Sequence, residues 1–288
     1  VPHAISVANI HLWHRRWAHC DKTMLGRLPD AVVGMAIKGK DPSPLCPPCL
    51  KGKMKAKPIP TTAQPRDYAP GSSVAVDLCG PFVESISGHK FFMIVRDLGS
   101  RYLSGFFLKT KDQALVSFQG YAKLLRGKLS SVRLDNGELR SGAMSDFCRA
   151  EGIRIEPTVP RTPQQNPVET DIRTIVADVR VMLNDAELPH PYWEYAVRTS
   201  VWYRNRSLRG QLQRTPFELY FGSKPDVSRA RVWGCLAYAH VSGDKAKLQD
   251  RAIEVIFLGF ADNSTGYLVQ DPNVSNVVRV VRTLKCDE

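Results

Sequence analysis

A chain of 288 residues with 43% hydrophobic and 9% aromatic content is too long for one ordinary core and too apolar for wholesale disorder, so two or three folded domains are expected. Forty lysines and arginines stand against 28 acidic residues, and the formal charge of +12 favours polyanionic partners, nucleic acid foremost. The sequence holds no long apolar run and no secretory leader pattern, and its seven cysteines are mostly scattered, so neither a membrane span nor a secreted disulfide framework is expected.

The chain begins at Val1 rather than Met, as an excised piece of a longer product would. The first block of note is LWHRRWAHC (12–20), followed by CPPCLKGK (46–53). His14 and His19 lie five apart, so on a helix both imidazoles can point the same way. Cys46 and Cys49 form a C-x2-C turn that aims two thiols at one point. Two nitrogens and two sulfurs make a closed tetrahedral zinc site of the structural kind. His11 and Cys20 are nearby alternatives that rank below these four. Residues 1–60 hold few large apolar side chains, so a metal would supply folding energy that the local core does not. KGKMKAKPIP (51–60) has no apolar period and reads as a basic linker, its lysines either solvated or laid along phosphates.

From about residue 72 the pattern changes. SVAVDL, HKFFMIVRD and RYLSGFFLK are short β-branched and aromatic runs separated by turn residues, and they predict three successive strands. A helix over 111–126, a strand at SSVRLD, a helix near 142–151 and a strand at GIRIEP follow. Together they predict an α/β fold with a mixed sheet flanked by helices. Ile172, Ile175, Val176, Val179, Met182 and Leu183 keep helical spacing behind Pro167, a residue suited to a first helical turn. Three acidic residues stand out in this frame. Asp77 sits inside an apolar strand, where a carboxylate is costly unless paired or metal-bound. Asp135 ends a β-type run before Asn-Gly, and Glu169 heads a helix. Taken singly, Asp135 reads equally as a turn residue and Glu169 as a partner of the helix dipole.

D-L-x-G-P at Asp77, L-D-N-G at Asp135 and T-P-Q-Q-N before Glu169 together resemble the integrase core of Copia-type long-terminal-repeat retrotransposons. LWHRRWAH with CPPC resembles that family's zinc-binding region, and TPFELYFGSKPDVSRARVWGCLAY resembles its link into a C-terminal β-barrel. The resemblance covers nearly the whole chain. It implies three domains: a small zinc-binding helical domain (1–60), an RNase H-like catalytic core (66–215) and a small β-barrel (225–288). It also implies a DDE triad of Asp77, Asp135 and Glu169. Three converging carboxylates suit Mg²⁺ or Mn²⁺, and a pair of such ions would serve in-line transfer of an element-end 3′-hydroxyl to a host DNA phosphodiester. Element-end DNA, target DNA and further copies of the chain are the implied partners, with no membrane and no small-molecule substrate. The nucleus is the implied place of action, after a cytoplasmic particle.

NPVETDIRTI departs from the family pattern, with Pro167 in place of a glycine and one residue fewer. Counting back from Arg173 makes Glu169 the third carboxylate, whereas counting forward from Asp135 reaches Asp171. The two point to different sides of a helix, so one of them faces the metals. The shortened loops leave room for a second reading, a catalytically decayed or repurposed nucleic-acid-binding protein on the same scaffold. Residues 190–206 predict an aromatic-rich helix packed through Trp193, Ala196, Val197 and Val201. Arg198, Arg204, Arg206, Arg209 and Arg214 are candidate phosphate contacts on charge density. From about residue 229, RVWGCLAYAHV, AIEVIFLGF, TGYLVQD and NVVRVVRTL recur with turns between them, as in a small barrel of about five strands.

Overall fold

The computed structural model describes residues 5–39, 41–42, 45–53, 68–134, 139, 141–157, 167–210, 212–240, 249–262, 265–274 and 277–288. Asp135, most of the basic linker and the T-P-Q-Q-N block lie outside these residues.

The N-terminal unit contains β1 (Ser6–Ala8), α1 (Ile10–Arg16), α2 (Lys22–Arg27), β2 (Met35–Ile37) and α3 (Pro47–Lys53). Asn9 caps α1 by accepting from the Leu12 amide, and Asp21 caps α2 through the Thr23 and Met24 amides. β1 and β2 pair in parallel. The expectation of a weak apolar core here is corrected. Trp13, Trp17, Leu25 and Leu28 are all fully buried. Their partners come from far along the chain, which is why a local count of apolar residues misses the core.

The middle of the chain forms β3 (Ser73–Cys79), β4 (Phe91–Asp97), β5 (Leu103–Leu108), α4 (Gln113–Leu124), β6 (Ser131–Leu134), α5 (Gly142–Ala150), β7 (Arg154–Pro157), α6 (Pro167–Asp185) and α7 (Trp193–Asn205). The sheet order is β5-β4-β3-β6-β7, with β3, β4 and β5 antiparallel and β6 and β7 parallel to β3. This is the mixed sheet flanked by helices that the strand pattern predicts. Strand alternation divides its two faces. Val74, Val76, Met93, Val95, Val132 and Leu134 pack with α4 and α5. Ala75, Phe92 and Ile94 face the other way, into the cluster that contains α6 and α7.

After α8 (Pro216–Phe221) the chain forms β8 (Leu236–His240), β9 (Ala252–Phe260), β10 (Tyr267–Gln270), β11 (Val278–Val281) and β12 (Leu284–Cys286). They make one five-stranded antiparallel sheet in the order β11-β10-β9-β8-β12. A register shift between Leu268 and Val269 bends it, as the curl of a small barrel requires.

One helix joins all three parts. On α7, Tyr203 packs against Trp17 at 5.2 Å between ring centroids, and Trp202 stacks on Phe260 at 4.0 Å. A methyl group at Gly259 would lie 2.6 Å from Thr199 Oγ1, so β9 and α7 approach more closely than any other residue allows. At its start α7 also anchors the β3–β4 turn. The buried Glu194 carboxylate accepts from Ser85 Oγ at 2.8 Å, meets His89 Nδ1 at 2.8 Å and pairs with Arg198 at 3.1 Å. Burial raises the Glu194 pKa, but His89, Ser85 and Arg198 outweigh it and hold the group below its ordinary value. A lowered carboxyl pKa stabilises the fold above the ordinary glutamate range, and that contribution is lost as pH falls through the lower folded value. Thermal melts of Glu194→Gln should therefore show a shallower loss of stability below about pH 4.5 than the wild-type chain shows.

Candidate metal centres

The turn after α1 carries Ala18 at φ 47° and His19 at φ 57°. Two successive non-glycine residues in the left-handed region are costly and need compensating contacts. The reversal folds His19 back beside His14, with ring centroids 5.0 Å apart. Cys46, just before α3, and Cys49, within its first turn, approach from the other side. One ligand atom from each of His14, His19, Cys46 and Cys49 lies within 4.8 Å of the rest. It is the only such group of three or more His, Cys, Asp or Glu side chains among the described residues.

Each imidazole turns one nitrogen toward a thiol and is held by the other. His14 Nε2 lies 3.2 Å from Cys49 Sγ, and its Nδ1 faces the Cys20 carbonyl at 2.5 Å. His19 Nδ1 lies 3.3 Å from Cys46 Sγ, and its Nε2 faces the Asp185 carboxylate at 3.5 Å. Burial pulls the His14 pKa down to about 4, which keeps the ring in the neutral form that ligates a metal. Burial lowers His19 too, but Asp185, Cys46 and Cys49 override it and raise its pKa to about 10. An imidazolium and a metal cation are alternative ways to place positive charge between two thiols and a carboxylate. Cys46 is pushed up by burial and brought below the ordinary thiol value by His19 and Cys49. A buried His₂Cys₂ group of this kind can bind zinc. His11 and Cys20 lie outside the four. Cys20 contributes its carbonyl, while burial pushes its thiol up to about 12.

A second set of side chains lies along α6. Asp171, Asp178 and Asp185 recur every seven residues and so share one stripe of the helix. Asp171 pairs with Arg96 of β4 and with Arg209 at 3.0 Å. Asp178 pairs with Arg204 at 2.6 Å and Lys53 at 3.2 Å, and accepts from Ser200 Oγ at 2.9 Å. Asp185 meets Arg15 at 3.2 Å as well as His19. The sequence reading passes over Asp178 and Asp185. The seven-residue spacing was the available signal, but their partners come from elsewhere in the chain.

The predicted carboxylates fall as follows. Asp77 is half-buried on β3 opposite Ile94, and residues opposite one another in antiparallel strands share a face. Asp77 therefore lies on the face covered by α6. Arg96 is on that face too, opposite Ala75, and donates to the Pro167 carbonyl at 3.3 Å, tying the start of α6 to β4. Glu169 stands in this first turn with its side chain 44% exposed, paired with Arg173 at 3.1 Å. Asp171 is 6% exposed and held by two guanidinium groups. Asp135 follows Leu134, the last residue of β6, and Leu134 pairs with Val76, the residue before Asp77.

The five arginines singled out for phosphate contacts divide in the same way. Arg204 and Arg209 are taken by Asp178 and Asp171, and Arg198 by Glu194 and Asp262. Arg214 is exposed beside Glu218 at 4.0 Å. Arg206 differs. Its guanidinium lies 4.0 Å from the Trp202 ring centroid and 4.8 Å from that of Phe217. Among the described residues no carboxylate pairs with it, and burial lowers its pKa to about 10. It lines a groove of about 410 Å³ between α7, β5 and the C-terminal sheet, together with Arg198 and Arg229.

Residues 235–288 match the retroviral polymerase SH3-like domain family. The chain is 37% identical over 280 residues to the retrovirus-related Pol polyprotein from transposon TNT 1-94 of Nicotiana tabacum, covering 94% of this chain and 21% of that protein. It is 26% identical over 290 residues to the corresponding polyprotein from transposon RE1 of Arabidopsis thaliana, covering 96% of this chain and 19% of that protein. The chain thus spans about a fifth of the length of these relatives. A chain of a simian T-cell lymphotropic virus intasome solved by cryo-electron microscopy is 17% identical, with a TM-score of 0.43 over 77% of this chain and 84% of that one. That likeness is too loose to bear on the chemistry.

The two contested carboxylates of α6 should respond differently to removal. Asp171→Ala leaves two buried guanidinium groups unpaired and should cost about 3–5 kcal/mol in urea denaturation. Glu169→Ala loses a half-exposed pair and should change stability by no more than about 0.5 kcal/mol.

Proposed function

Because this chain is a homologue, over nearly its whole length, of the Pol polyproteins of Copia-type retrotransposons, we propose that it is their integrase segment, a DDE strand transferase joining element 3′-hydroxyl ends to host DNA. The observation that carries the reading is Asp77, placed on the α6-covered face of the sheet while Arg96 fastens the first turn of α6 over that face. Glu169 is the third carboxylate in this reading. Asp171 already pairs with Arg96 and Arg209, which supports Glu169 over Asp171 in this role.

By donor chemistry, Asp77, Asp135 and Glu169 would supply carboxylate oxygens to Mg²⁺ or Mn²⁺, and the clustered His14, His19, Cys46 and Cys49 would supply the nitrogen and sulfur donors of a structural zinc. A bound pair of divalent ions would activate the attacking hydroxyl and stabilise the leaving oxygen. The protein's own part is positional. β3 fixes Asp77 from below, and the Arg96 tie sets the height of Glu169 at the start of α6. Glu169 and Arg173 form an exposed pair that separates at little cost when Glu169 turns inward. Element-end DNA and target DNA are the partners, engaged by an assembly of several copies in the nucleus after a cytoplasmic particle.

With element-end oligonucleotides and Mg²⁺ or Mn²⁺, the wild-type chain should yield joined products, and Asp77→Asn should abolish them without altering the melting temperature appreciably. Hydrolysis alone would mark a nuclease, and binding without turnover a decayed copy. The arginines provide a separate check. Arg206→Ala should reduce the slope of log affinity for DNA against log salt by about 1, the loss of one phosphate contact. Arg204→Ala should leave that slope unchanged and lower stability instead, since Arg204 neutralises the buried Asp178.

A further inference from the structure

A carboxylate at the end of α6 faces the N-terminal His₂Cys₂ group. We propose that Asp185, the last residue of α6, is the outer carboxylate of the His₂Cys₂ site, so that metal binding at the N-terminus clamps the far end of the helix whose first turn carries Glu169. This rests on reading His14, His19, Cys46 and Cys49 as zinc ligands.

A metal-ligating imidazole needs its second nitrogen fixed by an acceptor, which sets the tautomer, orients the ring and raises its basicity. His14 finds that acceptor within its own unit, in the Cys20 carbonyl. His19 does not. Its Nδ1 faces Cys46, and its Nε2 faces Asp185 at 3.5 Å, across the boundary to α6. The carboxylate is itself aimed, because Arg15 directs both Nε and a terminal nitrogen at the same Asp185 oxygen, each at 3.2 Å. Arg15 belongs to α1, the helix that carries His14, so the site's own helix orients the carboxylate that orients His19.

Two further contacts hold the same stripe of α6 against the metal unit. Lys53, at the end of α3, reaches the His19 carbonyl at 2.5 Å and Asp178 at 3.2 Å. A methyl group at Gly52 would lie 2.2 Å from Val181 Cγ2, so α3 and α6 meet at a spacing that only glycine permits. Asp178, Val181 and Asp185 are therefore docked on α3, which carries Cys49 and follows directly on Cys46, or on the turn that holds His19. Removing the metal loosens His19 and α3 together, and with them the far end of α6. Sixteen residues separate Asp185 from Glu169, about 24 Å along one continuous helix.

Zinc affinity of the full chain, measured by chelator competition, tests the link. Asp185→Asn should weaken binding about 10–100-fold. Glu194→Gln, which removes a buried carboxylate on α7 that contacts Ser85, His89 and Arg198 rather than the metal unit, should stay close to wild type. Hydrogen exchange on the unmutated chain supplies a readout independent of any variant's folding. Chelation should raise exchange at the 181–185 amides of α6 and leave α4, on the far face of the sheet, unchanged. Wild-type zinc affinity in Asp185→Asn, or exchange in α6 indifferent to chelation, would overturn the proposal while leaving the zinc site intact. A wild-type chain with no zinc affinity would instead sink the zinc reading, and this proposal with it.

Discussion

The structure depends on the ion pairs along one face of α6. A 19-residue helix that lies against β3 and β4 carries Asp171, Asp178 and Asp185 in a single stripe, and each would be costly without a cation. The cations come from different places. Arg96 is on the central sheet, Arg204 on α7 and Arg209 beyond it, Lys53 on α3, and Arg15 and His19 in or beside α1. Replacing any one aspartate would strand charge in the interior rather than merely remove a contact. Such pairs contribute less to net stability than to specificity. They fix which face of α6 meets the sheet, and hence which side of its first turn is left outside the ion-pair network.

That constraint separates two carboxylates that look equivalent in one dimension. Glu169 and Asp171 are two residues apart near the start of the same helix. Asp171 belongs to the stripe, so its oxygens already answer two guanidinium groups. Glu169 lies off the stripe, with Arg173 at its side, free of the interior network. The same distinction runs through the arginines. Those that neutralise α6 are structural, whereas Arg206, held between aromatic rings on the seam with the C-terminal sheet, pairs with no carboxylate among the described residues.

Much of this was legible in advance, for physical reasons. Apolar β-branched and aromatic runs such as SVAVDL and HKFFMIVRD fall on β3 and β4, which are buried on both faces, and the spacing of Ile172 to Leu183 marks α6, which is buried along one stripe. His14, His19, Cys46 and Cys49 stood out because metal ligands need particular residue types at short spacings, and the structure brings those four together. What local sequence concealed was pairing at long range. Charge density ranked Arg204 with Arg206, though Asp178 lies 26 residues from the first. Trp13 and Trp17 looked like a meagre core because the rings that cover Trp17 belong to Trp202 and Tyr203. Counting residues from Asp135 could not show that Asp171 pairs with Arg96, 75 positions away.

The most direct test of the account is the anomalous diffraction of Mn²⁺ bound to crystals of this chain. The account predicts manganese density beside Asp77 with Glu169 turned toward it, and Asp171 still held by Arg96 and Arg209. Manganese ligated by Asp171, with Glu169 directed to solvent beside Arg173, would contradict it.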